Sequence, residues 1–267
     1  MPSASDIKPF INEATLISLC SPLNPTGTVF SKSGLEEICD LIVEENKKRG
    51  NSKKPLYLLF DQVYWALTLG ETRHYDPVSV CPNIKNYTIY IDGISKAFAA
   101  TGVRVGWAFG PQKIINKMKA ILSHVGSWAP KAEQVATAIF LNNDAQIDNY
   151  LFSYKNNINQ RLVAIYNGII KLKEAGYRVD AIPPQAAIYL TVKFDLSKQH
   201  KEDGSILNNT EDVTNYLLDE AGLAIVPFYA FGASKNSSWY RLSVGTCKLE
   251  EIDELFEKLA VALRKLK

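Results

Sequence analysis

The sequence is short of the residues that build covalent and metal scaffolds: its 267 residues include 4 cysteines and 3 histidines. Cys20, Cys39, Cys81 and Cys247 are scattered without metal-ligand spacing, and His74, His124 and His200 stand equally isolated. Neither a disulfide framework nor a metal centre is expected, and a reduced, cytoplasmic compartment is the simplest setting. Long hydrophobic runs are missing too. None approaches the ~20 apolar residues of a membrane span, and the N-terminus lacks the charged-then-apolar order of a secretory signal. Nor does one sign of charge dominate: 30 basic and 28 acidic residues leave +2, spread without long blocks. That removes the electrostatic case for nucleic acid or an anionic membrane as a partner. Basic clusters such as Lys47-Lys48-Arg49 read as a solvated helix end, where cations suit the helix dipole. What is there, 46% hydrophobic and 22% charged, is the composition of a globular chain of one large or two smaller domains.

The chemistry concentrates in Asp92-Gly93-Ile94-Ser95-Lys96 and, just downstream, Gly102-Val103-Arg104-Val105-Gly106. A strand-like run, Tyr87 to Ile91, precedes this stretch and another, Val105 to Phe109, closes it. Lys96 therefore sits just beyond a buried strand among small residues, with Arg104 eight positions on (104 − 96). A lysine so placed can attack a carbonyl as an amine. The arginine offers a planar fork of donors suited to a phosphate. An amine with a phosphate clamp is what a protein needs to hold pyridoxal phosphate as a Schiff base. A helix-opening lysine on a solvated face, beside an ordinary strand arginine, would give the same letters.

Upstream, Thr15 to Cys20 is an apolar run fit for a buried parallel strand, stopped by Ser21-Pro22-Leu23-Asn24-Pro25-Thr26-Gly27. Asn24 is thereby presented at the strand's C-terminal end, where open α/β sheets bind ligands; Asn-Pro-Thr-Gly also reads simply as a turn. Ser33-Gly34-Leu35-Glu36 reads as the capping box of a helix that places Leu35, Ile38, Leu41 and Ile42 on one face and stops at Gly50. Pro55 to Phe60 is a second buried strand with Asp61 and Tyr64 at its end, so the unit is β-α-β and its strands parallel. A carboxylate there can pair with a pyridine nitrogen and make the ring an electron sink, and Tyr64 can give its hydroxyl to the ring oxygen. An aspartate capping the next turn and a core tyrosine fit the same spacing.

Residues 70–86 read as a polar connection. Pro111 opens an amphipathic helix at its first position, Val125 to Pro130 breaks it, and Lys131 to Leu141 is a second helix. Apolar spacing from about Gln146 to Gly176 predicts one long helix. Beyond it the pattern is α+β: strands at Ala187 to Val192, Leu223 to Val226 and Trp239 to Val244, and helices at Thr210 to Glu220 and Leu249 to Lys265. Residues 197–209 read as an exposed loop. Arg241, in Tyr-Arg-Leu-Ser-Val, faces away from Tyr240; a sheet-face arginine paired with a carboxylate is the alternative.

Gly-Ile-Ser-Lys followed by Gly-Val-Arg-Val-Gly resembles the lysine signature of class I/II aminotransferases, the fold-type-I family of pyridoxal phosphate enzymes. The motifs at Asn24, Asp61–Tyr64 and Arg241 recur in that family's order and extend the resemblance over nearly the whole chain, as the C-terminal part of such an enzyme. The resemblance implies an α/β fold: part of a mostly parallel sheet flanked by helices over residues 1–153, and a small α+β domain over 154–267. The long helix would join them. It implies pyridoxal 5'-phosphate as cofactor, an amino acid and a 2-oxo acid as substrates, and a homodimer. Lys96 would bind the cofactor and act as base, and Asp61 would tune its ring. Tyr64 and Asn24 would hold the ring oxygen, and Arg104 with Ser95 the phosphate. Arg241, beside Asn24, would clamp the substrate carboxylate. Trp128 would lie near the dimer interface and the Asn24–Pro25 bond would be cis.

A lyase or decarboxylase of the same fold shares these motifs. Ala186 and Phe228 stand where the family more often has glycine, which narrows the pocket and leaves substrate preference open. Family members also carry a further half-domain before the asparagine motif. The expectation is therefore an incomplete chain with one sheet flank open, a weak catalyst or a non-catalytic module by itself, whose remainder is truncated, lost or on another chain.

Overall fold

Apolar runs separated by an amphipathic helix pair in parallel through a crossover, not as a hairpin. The computed structural model describes residues 1–267. It opens with helix α1 (Ala4–Ile7), capped by Ser3, and a 3-10 turn (Lys8–Phe10). Strand β1 (Leu16–Cys20), helix α2 (Lys32–Arg49) and strand β2 (Tyr57–Asp61) form the expected unit, with β1 and β2 parallel and Cys20 opposite Asp61. Helix α3 (Pro77–Val80) and a 3-10 turn (Pro82–Tyr87) lead into β3 (Thr88–Gly93), parallel to β2. Helix α4 (Ile94–Ala97) follows, and β4 (Gly106–Phe109) returns antiparallel along β3. The sheet order is β1-β2-β3-β4.

Three local readings change. The cap of α2 is Ser31, whose hydroxyl accepts from the Gly34 N–H at 3.1 Å, and Ser33 lies inside the helix. The connection 70–86 carries helical turns because Asp76 caps α3, its carboxylate accepting from the Val78 and Ser79 N–H groups and the Tyr90 hydroxyl. Arg49 is not solvated. It continues the buried stripe of Ile38, Ile42 and Glu45, at spacings of four, three and four, and only Lys47 and Lys48 face out. Its Nε donates to Glu45 at 2.7 Å, and its Nη groups donate to the carbonyls of Ile11, Asn12, Ala14 and Lys54. A buried cation persists when it is paired and its donors are satisfied. Arg49 thereby holds the segment that leads into β1.

Helices α5 (Gln112–Val125) and α6 (Lys131–Leu141) precede the long helix α7 (Asp144–Glu174). Pro111 is the residue before α5, not its first. The chain divides into two compact units, Met1–Leu23 with Thr28–Ser153, and Asn24–Gly27 with Tyr154–Lys267. In the first, the core is the α2 face (Leu35, Ile38, Ile42) against Leu19, Leu58, Phe60 and Ile84.

The second unit takes the buried face of α7 (Ile158, Leu162, Ile165, Ile169) and a sheet of order β5-β6-β8-β7, antiparallel throughout. Its elements are β5 (Val179–Ala181), β6 (Tyr189–Phe194), helix α8 (Thr210–Ala221), β7 (Val226–Pro227), β8 (Trp239–Ser243) and helix α9 (Ile252–Arg264). Strand β6 starts at Tyr189, not Ala187, because Ala187 sits at φ 61, a left-handed conformation that cannot enter a ladder. Strand β7 is shorter than expected because Leu223 still bonds back to Leu217, wrapping the end of α8 at Gly222. Leu249–Glu251 is a 3-10 turn ahead of α9. Within 197–209, Leu207 is buried and His200 bridges to Ile206, so that loop is anchored. No helix is long and apolar enough to cross a membrane.

His74 packs beside Phe60 with neither ring nitrogen hydrogen-bonded, and burial pushes its pKa down to about 4 against a weak opposing pull from Asp76. The unfolded chain then binds a proton below the usual histidine value while the fold does not, so stability falls as pH drops from about 6.5 toward 4. From pH 7 to 4.5 His74→Phe should remove about 2 kcal/mol of the acid-induced loss. Urea unfolding of both proteins at the two pH values measures this; an unchanged loss in the variant contradicts it.

Candidate active site

Adjacent strand ends gather the candidates of the first unit. Asp61 is the last residue of β2, and its register partner in β3 is Ile91, so the Lys96 turn begins on the neighbouring strand. Asp61 is half-buried. Its Oδ1 accepts from the Val63 N–H at 3.0 Å, which realises the turn-capping reading with one oxygen and leaves the other without a partner. Tyr64, three residues on, is 3% exposed.

Residues 94–105 form a loop closed at its base by β3 and β4. Gly93 pairs with Gly106, and the Ile94 N–H donates to the Val105 carbonyl. A Cβ on Gly93 would stand 3.0 Å from the Val105 oxygen and 3.1 Å from the Gly106 Cα, so this close approach requires glycine for its small size. Ser95 and Lys96 are half-buried on α4, and the Ser95 carbonyl accepts from the Thr101 hydroxyl. The Lys96 amine makes no hydrogen bond or ion pair. Arg104 is exposed at φ 61 and donates Nη1 to the Thr101 carbonyl at 3.0 Å, with no carboxylate on it. A non-glycine residue in that conformation is strained by ~1–3 kcal/mol, a cost that surrounding structure must hold in place. Arg104 opens on a hollow of about 650 Å³ that Trp107, Trp128, Gln134 and Thr137 also line.

The other candidates meet in the second unit. The Asn24–Pro25 bond is cis, as is Ser21–Pro22, which the sequence reading did not anticipate. The Thr191 hydroxyl donates to the Thr26 carbonyl at 3.0 Å, and the Ala186 N–H donates to Gly27 at 3.0 Å. Ala186, expected to narrow a pocket, is fully buried. These contacts seat Asn24–Gly27 on β6 and its approach. Arg241, opposite Thr191 on β8, donates Nη1 to Asn24 Oδ1 at 2.9 Å. Its Nε is buried and has no partner, and it makes no salt bridge, so the paired-arginine alternative is not realised. The guanidinium carbon lies 4.8 Å from the Tyr189 ring and 4.9 Å from the Phe231 ring. Sequence reasoning missed both rings. Tyr189 was legible as Arg241's diagonal neighbour once the strands were paired, whereas Phe231 comes from a 3-10 turn that no periodicity marks.

This fold and these side chains define a class. Residues 4–259 match the family aminotransferase class I and II, and the chain belongs to that family. Aspartate aminotransferase from Bacillus sp. (strain YM-2) is 30% identical over 258 residues, 96% of this chain and 60% of that one. The crystal structure of aspartate aminotransferase from Rhizobium meliloti superposes with a TM-score of 0.87 at 26% identity, covering 100% of this chain and 62% of that one. Aspartate aminotransferase from Thermus thermophilus with maleate gives 0.80 at 26% identity, covering 98% of this chain and 61% of that one. The chain therefore spans about three-fifths of the length of the relatives it matches.

Gly27 combines a φ of 69 with a site where a Cβ would stand 2.5 Å from the Tyr189 carbonyl oxygen, so alanine there meets both strain and backbone. Gly27→Ala should cost about 2 kcal/mol or more and release the Asn24 loop. The check is thermal unfolding together with backbone NMR shifts of Thr26 and Ala186. Unshifted resonances at full stability would show that the loop tolerates the methyl.

Proposed function

We propose that this chain carries the chemistry of a pyridoxal-phosphate-dependent aminotransferase, which moves an amino group between an amino acid and a 2-oxo acid. One observation carries the reading. A half-free carboxylate, Asp61, ends β2 and an uncommitted amine, Lys96, stands on the turn that follows the adjacent strand β3, in a chain that belongs to this family. The donor set fits the cofactor: an amine for its aldehyde, a carboxylate for its ring nitrogen, and an exposed arginine and a hydroxyl for its phosphate. When bound, pyridoxal phosphate supplies an electron sink for the carbon that loses its proton.

The chain's own residues do the rest. Lys96 Nζ would hold the cofactor, and the same amine would take the proton at the substrate Cα. The Asp61 carboxylate would keep a proton on the ring nitrogen, and Tyr64 and Asn24 would be the donors for the ring oxygen. Arg104 and Ser95 take the phosphate. Arg241 grips the substrate carboxylate, and its unpartnered Nε–H supports that role, since a buried donor left alone costs stability unless a ligand meets it. The names of the relatives favour transfer of the amino group over the lyase and decarboxylase alternatives. Aspartate, named in them, is the first amino acid to try.

The apolar faces of α5 and α6 leave Ile121 62%, Val125 66% and Ile139 69% exposed, which supports pairing with a second copy. None of the 4 cysteines is in a disulfide, which is compatible with a reduced cytoplasmic setting.

Incubation with an amino acid, 2-oxoglutarate and pyridoxal phosphate should yield the matching keto acid and glutamate; ammonia or CO2 instead would establish the lyase or decarboxylase reading. In the same assay Arg241→Lys, which keeps the charge but loses the fork, should lower kcat/KM by ~10-fold or more and leave cofactor affinity nearly unchanged. An equal loss of cofactor binding would make Arg241 structural.

A further inference from the structure

Arg241 is fixed by more than Asn24. Tyr189, buried on β6, stands diagonally across the ladder from it, because Ser243 is opposite Tyr189 and Thr191 is opposite Arg241. Phe231 arrives from elsewhere in the chain, at the end of the 3-10 turn Phe228–Phe231, which Gly232 terminates at φ 92. Its ring is 40% exposed, so core packing does not account for it. Phe228, where glycine is more usual in the resembled family, packs edge-on against it with ring centroids 6.3 Å apart.

The two rings set the plane of the guanidinium through cation–π contact, and the bond from Nη1 to Asn24 sets its rotation within that plane. A guanidinium donates only along its edges, in its own plane. Nη1 gives one of its two N–H groups to Asn24 and Nε–H has no partner, so the parallel pair at Nε and Nη2 is the edge on which neither nitrogen is engaged. That pair matches the two oxygens of a carboxylate.

We propose that Phe231, braced by Phe228, is a positioning residue for the substrate carboxylate: it holds the Arg241 plane so that the Nε edge is kept for the ligand. This rests on reading Arg241 as the carboxylate residue. Pre-setting a long, flexible cation removes the rotamer entropy that binding would otherwise cost. The contribution appears as affinity for any carboxylate and does not depend on the amino group being transferred.

The test is calorimetric titration of maleate, a dicarboxylate with no amino group to transfer, into the full chain without cofactor. Phe231→Leu keeps an apolar side chain without the π face and should weaken maleate about tenfold, whereas Phe231→Tyr should stay within about twofold of wild type. Both should keep the wild-type Tm. Arg241→Gln should abolish binding. If Phe231→Leu binds as wild type while Arg241→Gln does not, the positioning role is overturned and the Arg241 reading stands. If Arg241→Gln binds maleate as wild type does, or wild type itself shows no binding at millimolar maleate, the Arg241 reading fails and this proposal falls with it.

Discussion

The seating of Asn24–Gly27 on the second unit is the constraint on which the setting of Arg241 depends. The chain leaves its first unit at Leu23 and returns to it at Thr28, and the four residues between belong to the other unit. They are held by the Thr191 hydroxyl, the Ala186 N–H and the tight fit of Gly27 under the Tyr189 carbonyl. Only because that loop is fixed can Asn24 hold Arg241 with an ordered side chain. A single hydrogen bond contributes about 0.5–1.5 kcal/mol net, more when one partner is charged. The two rings and the pinned loop make the geometry of this one stiff.

The first unit has a different device, the closure of residues 94–105 between β3 and β4. Two glycines let the strands approach, and the turn they close carries a half-buried amine and an exposed guanidinium with no acid against either. Buried structural cations in this protein look otherwise: Arg49 has every donor nitrogen occupied, by Glu45 and by four carbonyls. The contrast separates a cation that holds the fold from cations left without a carboxylate. Arg241, partly satisfied, lies between the two.

Most of the architecture was legible because strand runs and helix stripes carry strong periodicity. Leu16–Cys20, Tyr57–Asp61 and the long Asp144–Glu174 helix could be read from apolar spacing within a few residues. Lys96, Asp61, Asn24 and Arg241 stood out because each follows or lies within a strand. What stayed hidden depends on backbone conformation or on partners remote in sequence. The left-handed φ at Ala187 delayed β6, Ser31 displaced Ser33 as the cap, and Asp76 made helical turns of a polar stretch. Arg49 was misread because a run of three cations does not reveal which one faces inward; the stripe through Ile38 and Ile42 does. Phe231 had no period to betray it.

The central proposal is that Lys96 is the residue that binds pyridoxal phosphate covalently in this chain. The most direct test is borohydride reduction of the chain with pyridoxal phosphate, followed by tryptic mapping of the attached pyridoxyl group by mass spectrometry. The account predicts the label on Lys96 alone and its loss in Lys96→Ala. Label on a different lysine, in protein that binds the cofactor stoichiometrically, would contradict it.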